Sequence, residues 1–214
     1  MTLHRLIGVP RRLLRERRGI AATEFALIAP VFFVLLMGLF DIAHETYARS
    51  VFVGAVETAA RQAALETGST TAADKLVKDR VKLVLPDVVI VGTRKSYYDF
   101  ADIARPEQFT DNKGKDGSGN LISYAGLNNG KCDAGETFLD FNKNAKWDAD
   151  TASGAANNGG AGDVVMYTVT ATFTPLFKIP FAPGLWSKRT MTTTAVKKNQ
   201  PFGLQKPVTT GTCP

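Results

Sequence analysis

Between Phe25 and Phe40 the chain carries no charge, and from Ile20 to Ile42 it is almost wholly apolar. As a helix, Ile20–Ile42 is about 35 Å long, enough to cross the hydrocarbon core of a bilayer with some tilt. The run is longer than the apolar segment of a cleaved secretory signal, roughly 7–15 residues. No small-x-small cleavage pattern follows Phe40. One acid, Glu24, sits inside the end of the span that follows a basic leader. A carboxylate there is costly unless it has a partner, which makes Glu24 a candidate functional residue. An ordinary signal anchor with a stray glutamate is the plainer reading of the same residues.

The charge is unevenly spread. Six of the 26 basic residues, all arginine, and one of the 20 acidic residues lie in 1–19, which leaves 20 and 19 downstream. The high pI of 9.4 is therefore a property of the leader. A nucleic-acid partner needs a basic face on the folded domain, and the downstream balance gives no reason to expect one. Arginines before an apolar span place that end in the cytoplasm and the following domain outside it. The organisation expected is a leader over 1–19, a membrane helix over 20–42, a helical extension over 43–68 and a domain over 69–214.

The junction reads Arg17-Arg18-Gly19-Ile20-Ala21-Ala22-Thr23-Glu24-Phe25. It resembles a class III prepilin, in which a dedicated peptidase cuts after glycine and the mature chain has Glu at its fifth position and an aromatic at its sixth. Gly19, Ile20, Glu24 and Phe25 fit that register. Cleavage leaves a free amine on Ile20, which Glu24 of a neighbouring subunit can neutralise when the two stack in register. The longer run to Pro30, with the Tyr47-Ala48-Arg49 region and the alanine-rich stretch after it, resembles the TadE-like family, minor pilins or pseudopilins of the Flp (tight-adherence, Tad) pilus. The close resemblance covers roughly residues 17–67, with a weaker one near Asn199-Gln200-Pro201-Phe202, where Gln200 departs from the usual acid.

Downstream, Phe52, Val56, Ala59, Ala60 and Ala63 share one helical face, Glu57 and Arg61 form an i, i+4 pair, and Gly68 ends the helix. Thr71 with Asp74 marks the start of a second helix, with Leu76, Val77, Val81, Val84 and Leu85 as its stripe and Pro86 as its stop. Val88–Val91 reads as a short strand. Residues 165–173 and 188–197 alternate apolar with threonine and read as antiparallel neighbours. The connection 175–186 is apolar and proline-rich, suited to a cap or to contact with the membrane surface. Residues 203–214 read as a polar tail. The class expected is α+β: a transmembrane helix continuing into an amphipathic one, a second helix, a small antiparallel sheet and a long Gly/Asn/Asp-rich loop inserted over 110–162.

A structureless loop of that length is uncommon inside a compact domain, so something should order it. Within it Asp140, Asn142 and Asn144 put side-chain oxygens at alternate positions, with Asp148 and Asp150 following and Glu136 upstream. Alternating oxygens suit a hard cation, and the run resembles the Asp-x-Asn-x-Asn calcium loops of dockerin and thrombospondin-like repeats. These six are the candidate ligands of a structural calcium. Against this, Ala145 stands where glycine is usual, Thr151 where glutamate is, and Lys131, Lys143 and Lys146 lie nearby; a solvated Asn/Asp turn is the alternative. Cys132 and Cys213 are the two cysteines. Outside the cytoplasm one disulfide between them is the simplest expectation, with two free thiols the alternative.

No nucleophile–base spacing, phosphate loop or histidine cluster points to an enzyme. The reading is a pseudopilin of the bacterial inner membrane, single-pass, with a cytoplasmic N-terminus and a periplasmic domain, cut after Gly19 and acting in Flp pilus assembly, with the option of transfer to the surface pilus. The resemblance implies as partners the prepilin peptidase, other pilins and pseudopilins, the inner-membrane assembly platform and the bilayer. The alternative is an uncleaved, membrane-anchored periplasmic binding domain with a calcium-ordered loop.

Overall fold

Helix α1 runs Ile20–Ala63, 44 residues without a break, and passes through Pro30. The computed structural model describes residues 19–115, 121–123, 129–152, 158–177 and 187–214. The leader 1–18, parts of the central insertion and most of the 175–186 connection lie outside the described residues. The chain divides into two units, Met1–Glu45 with Pro175–Ser187, and Thr46–Thr174 with Lys188–Pro214.

In the first unit the side chains of α1 from Ile20 to Ile42 are largely exposed, Leu27 at 80% and Leu35 at 68%. Apolar surface of that extent has to be covered, and the segment is long and apolar enough to cross a membrane. Asp41, at its end, is buried and accepts a hydrogen bond from the Leu176 backbone N–H (3.1 Å).

In the second unit α1 presents Ala48, Phe52, Ala55, Val56, Ala59, Ala60 and Ala63 as one buried stripe, at the helical spacing legible in the sequence. Small side chains there let the helix lie close to its neighbours. The helix α2 spans Thr70–Lys82 and buries Ala73, Val77 and Val81 in the same core. Its N-cap is Ser69, whose hydroxyl accepts from the Ala72 N–H; the cap expected at Thr71 lies two residues too late. Gly68 makes the turn between the helices. A Cβ there would lie 2.5 Å from the Gln62 carbonyl oxygen and 2.7 Å from that of Ala63, so only glycine fits.

The main sheet has the order β1-β5-β6, all antiparallel, with β1 at Val89–Tyr97, β5 at Val164–Phe173 and β6 at Arg189–Lys198. Tyr167, Val169, Ala171 and Phe173 of β5 and Ala195 of β6 point into the helical core. The other face is a threonine ladder: Thr168 with Thr194 and Thr170 with Thr192 share hydroxyl bonds of 2.9 and 3.1 Å. The strand expected over Val88–Val91 runs on to Tyr97. Arg94 and Lys95 disguise it, because their charges are used in pairs with Asp74 and Asp150. Glu57 likewise is held by Lys197 of β6 (2.8 Å) rather than by the expected helical neighbour Arg61.

The insertion is not structureless. β2 (Lys113–Lys115) pairs with β3 (Leu121–Ser123), and β4 (Thr137–Asp140) pairs with β7 (Thr209–Thr212). The expected polar tail is thus partly a strand. Phe138 lies against Gly211 opposite it, where any side chain would collide with the ring. Cys132 and Cys213 are disulfide-bonded, with Cα atoms 5.6 Å apart.

Candidate functional site

Two places carry the candidate residues. The first is the start of α1. Gly19 is a turn residue whose carbonyl accepts the Thr23 N–H (3.1 Å), and the Thr23 hydroxyl bonds back to the Ile20 carbonyl (2.8 Å). Ile20 is the first helical residue, and Glu24 and Phe25 follow on the exposed first turns. Among the described residues nothing lies within 4 Å of where a Gly19 Cβ would sit. Packing therefore gives no reason for glycine at this position, in contrast to Gly68.

The second place is the loop after β4. Asp140 is buried and its carboxylate organises the turn: it accepts from the backbone N–H groups of Lys143, Asn144 and Ala145. Three backbone donors on one carboxylate force a tight curl, and Lys143 and Ala145 take up left-handed conformations, φ 62° and 59°. The residue that looked unfit for a positive φ, Ala145, adopts one. The Asn142 and Asn144 amides both donate to Asp148 at 2.6 Å, so three of the candidate side chains meet at one point. The Oδ1 atoms of the two amides accept from the backbone N–H groups of Asn144 and Lys146, at 3.1 and 2.7 Å, which fixes the orientation of both.

Two of the six candidates lie elsewhere. Asp150 is paired with Lys95 (2.7 Å), which together with a bond from Ala152 N–H outweighs its burial and holds its pKa low. Glu136 faces the Asn112 and Asp133 N–H groups at 2.8 and 2.9 Å. In its place the loop has Glu107, which is 1% exposed. Its carboxylate accepts the N–H of Phe141 (2.9 Å) and of Asp148 (3.0 Å), and the Trp147 indole N–H bonds its carbonyl (2.8 Å). Burial, with lesser contributions from the charges of Asp140 and Asp148, pushes its pKa up against the pull of those backbone bonds. Glu107 lies far upstream of the run that carries the calcium resemblance, so local spacing could not find it. The signal was the segment Glu107-Gln108-Phe109-Thr110-Asp111, which Glu136-Thr137-Phe138-Leu139-Asp140 repeats. Among the described residues no three His, Cys, Asp or Glu side chains converge closely enough to form a metal centre by themselves. The oxygen-bearing side chains gathered here are carboxylates and asparagine amides, a set suited to calcium rather than zinc.

Taken together, the features define a protein with one N-terminal helix apt for a membrane, followed by a disulfide-closed α+β domain. Comparison with protein families then gives the particular kinship: residues 19–61 match the family described as TadE-like protein, so this segment of the chain is TadE-like. The match starts at Gly19 and ends two residues before the end of α1. Neither the curated proteins nor the solved structures gave a match to the chain.

Proposed function

We propose that the chain is a pseudopilin of the Tad system, cut between Gly19 and Ile20 by a prepilin peptidase, anchored in the inner membrane by α1, and active in assembling an adhesive pilus. The observation that carries this reading is the family match beginning at Gly19 over a helix whose fifth residue from Ile20 is Glu24. The absence of a packing reason for Gly19 supports it, since a processing enzyme supplies one. In this reading α1 exchanges lipid for the α1 helices of other pilins, and Glu24 of one subunit neutralises the new Ile20 amine of the next. The role is structural rather than enzymatic. The partners are the peptidase, other pilins and pseudopilins, the membrane platform and the bilayer, with the domain on the periplasmic side.

A Glu24→Ala variant tests the assembly role. It should insert in the membrane as wild type does and leave the cells without sheared surface pili. Normal piliation by that variant would remove the stacking role.

The second reading is an uncleaved, anchored binding domain. The convergence of Asn142, Asn144 and Asp148, with Asp140 curling the loop and Glu107 closing it, favours a calcium ion there in either case. That ion is structural: it orders the insertion. Calcium should raise the thermal midpoint of the detergent-solubilised protein, and EDTA should reverse the rise. No change in midpoint over millimolar calcium would count against it.

A further inference from the structure

We propose that the domain carries a binding cleft for an acidic saccharide, a sugar chain bearing carboxylates. The cleft lies between the end of β1, the start of the loop after β4 and the segment 199–206, and encloses about 490 Å³. Small-ligand sites fall in the range of roughly 300–1,000 Å³. All of its lining belongs to the second unit. The proposal therefore goes beyond the pilin reading and stands apart from whether α1 is processed.

Three aromatic rings line the cleft. Tyr98 and Phe141 meet edge to face with their centroids 6.1 Å apart, and Phe202 adds a third ring, 46% exposed. Leu204, two residues on, is 98% exposed. These side chains stand outside the hydrophobic core because the segment that carries them is pinned by hydrogen bonds. The Gln205 amide donates to the Tyr98 carbonyl (2.7 Å) and to the Asp163 carboxylate (2.9 Å). The Asn199 N–H bonds the Asp163 carbonyl (2.8 Å), and its side-chain amide donates to the carbonyls of Asn158 and Gly160 at 2.7 and 2.9 Å. The Asn199–Phe202 run singled out in the sequence thus holds one rim of the cleft. Apolar groups fixed at a rim in this way offer a ligand surface that needs no further ordering.

Charge selects the class of ligand. Lys143 and Lys206 line the cleft, and among the described residues neither ammonium has an acidic partner. The acid in the lining, Asp163, has both carboxylate oxygens engaged, by the Gly160 N–H (2.6 Å) and by the Gln205 amide. Two free cations beside one committed carboxylate favour an anion. The rings say which kind. An aromatic face is negative, and the C–H bonds on one side of a pyranose are slightly positive, so a sugar stacks where a bare inorganic anion would leave the rings unused. Rings set beside ammonium groups, with the Asn142 amide also in the lining, suit sugars that carry carboxylates.

The test is an array of neutral and uronate-bearing oligosaccharides, probed with the full, oxidised chain in a detergent whose headgroup is not a sugar. Titration calorimetry then compares the best acidic oligosaccharide with its neutral counterpart. Wild type should bind the acidic one about tenfold tighter, a preference that fades as salt is added. Phe202→Ala should weaken both by about tenfold. Lys143→Gln with Lys206→Gln should bring the acidic oligosaccharide down to the affinity of the neutral one. All three side chains are exposed, so circular dichroism and the melting curve should not change. If no uronate-bearing oligosaccharide binds, or none binds better than its neutral counterpart, the proposal is overturned, even where the chain binds vesicles of anionic phospholipid. Binding left unchanged by Phe202→Ala and by the double lysine variant overturns it too, since the sugar then sits elsewhere.

Discussion

Arg94 shows how one residue ties the helices to the sheet. Its guanidinium is 6% exposed, bonds both carboxylate oxygens of Asp74 at 3.1 and 2.6 Å, and lies 4.0 Å from the centre of the Tyr167 ring. The Tyr167 hydroxyl donates to the same carboxylate (2.5 Å). Burial pushes Asp74 up, but the bonds from Arg94 and Tyr167 and the charge of Arg94 outweigh it and hold the pKa below the usual aspartate value. Its stabilising contribution is complete above the unfolded value of about 3.9 and is lost as pH falls through the lower folded one. Thermal melts between pH 6 and 3 should therefore show an acid-side loss of stability that Asp74→Asn removes in part. Replacing Arg94 by leucine should cost about 2 kcal/mol by denaturant unfolding, less than a fully buried pair because Asp74 is more than a third exposed. At Gly19 the expectation is the reverse: Gly19→Leu should leave the melting curve unchanged and stop processing, read as a mobility shift on a gel.

At the scale of elements, the parts legible in the sequence are those whose information is local. The apolar run of α1, its alanine stripe at helical spacing and the alternation of β5 and β6 each declare their structure within a few residues. The α+β class followed from these. The start of β1 was legible in Val88–Val91, but its continuation to Tyr97, and β7, were not, because a partner distant in sequence makes them strands. Val89–Tyr97 pairs with β5, which absorbs its charged residues, and Thr209–Thr212 becomes a strand only because β4 and the disulfide bring it in. The loop site was half legible for the same reason. Asp140, Asn142, Asn144 and Asp148 lie close in sequence, whereas Glu107 reaches them through a bridge between segments that the sequence separates. Cutting the Cys132–Cys213 link, with Cys213→Ser, closes no loop over its separation of 81 residues and should cost up to about 4–5 kcal/mol on the chain-entropy estimate. Hydrogen exchange should then quicken in β4 and β7 and not in β5. A Gly68→Ala change should be destabilising by more than the usual helix-end substitution, since the added carbon meets backbone oxygens that cannot move aside.

For the whole molecule, the chain joins an apolar helix long enough to cross a membrane to an α+β domain with its own buried core. The family match covers 19–61, and the domain beyond it carries its own sheets and disulfide. The central claim is that the first part is a processed pilin segment. The most direct test is the N-terminal sequence of the protein extracted from membranes of a host carrying its pilus genes. A mature chain beginning at Ile20 is the expected result. A chain still beginning at Met1, or one starting beyond Phe40, would contradict it and leave an anchored or secreted binding domain in its place.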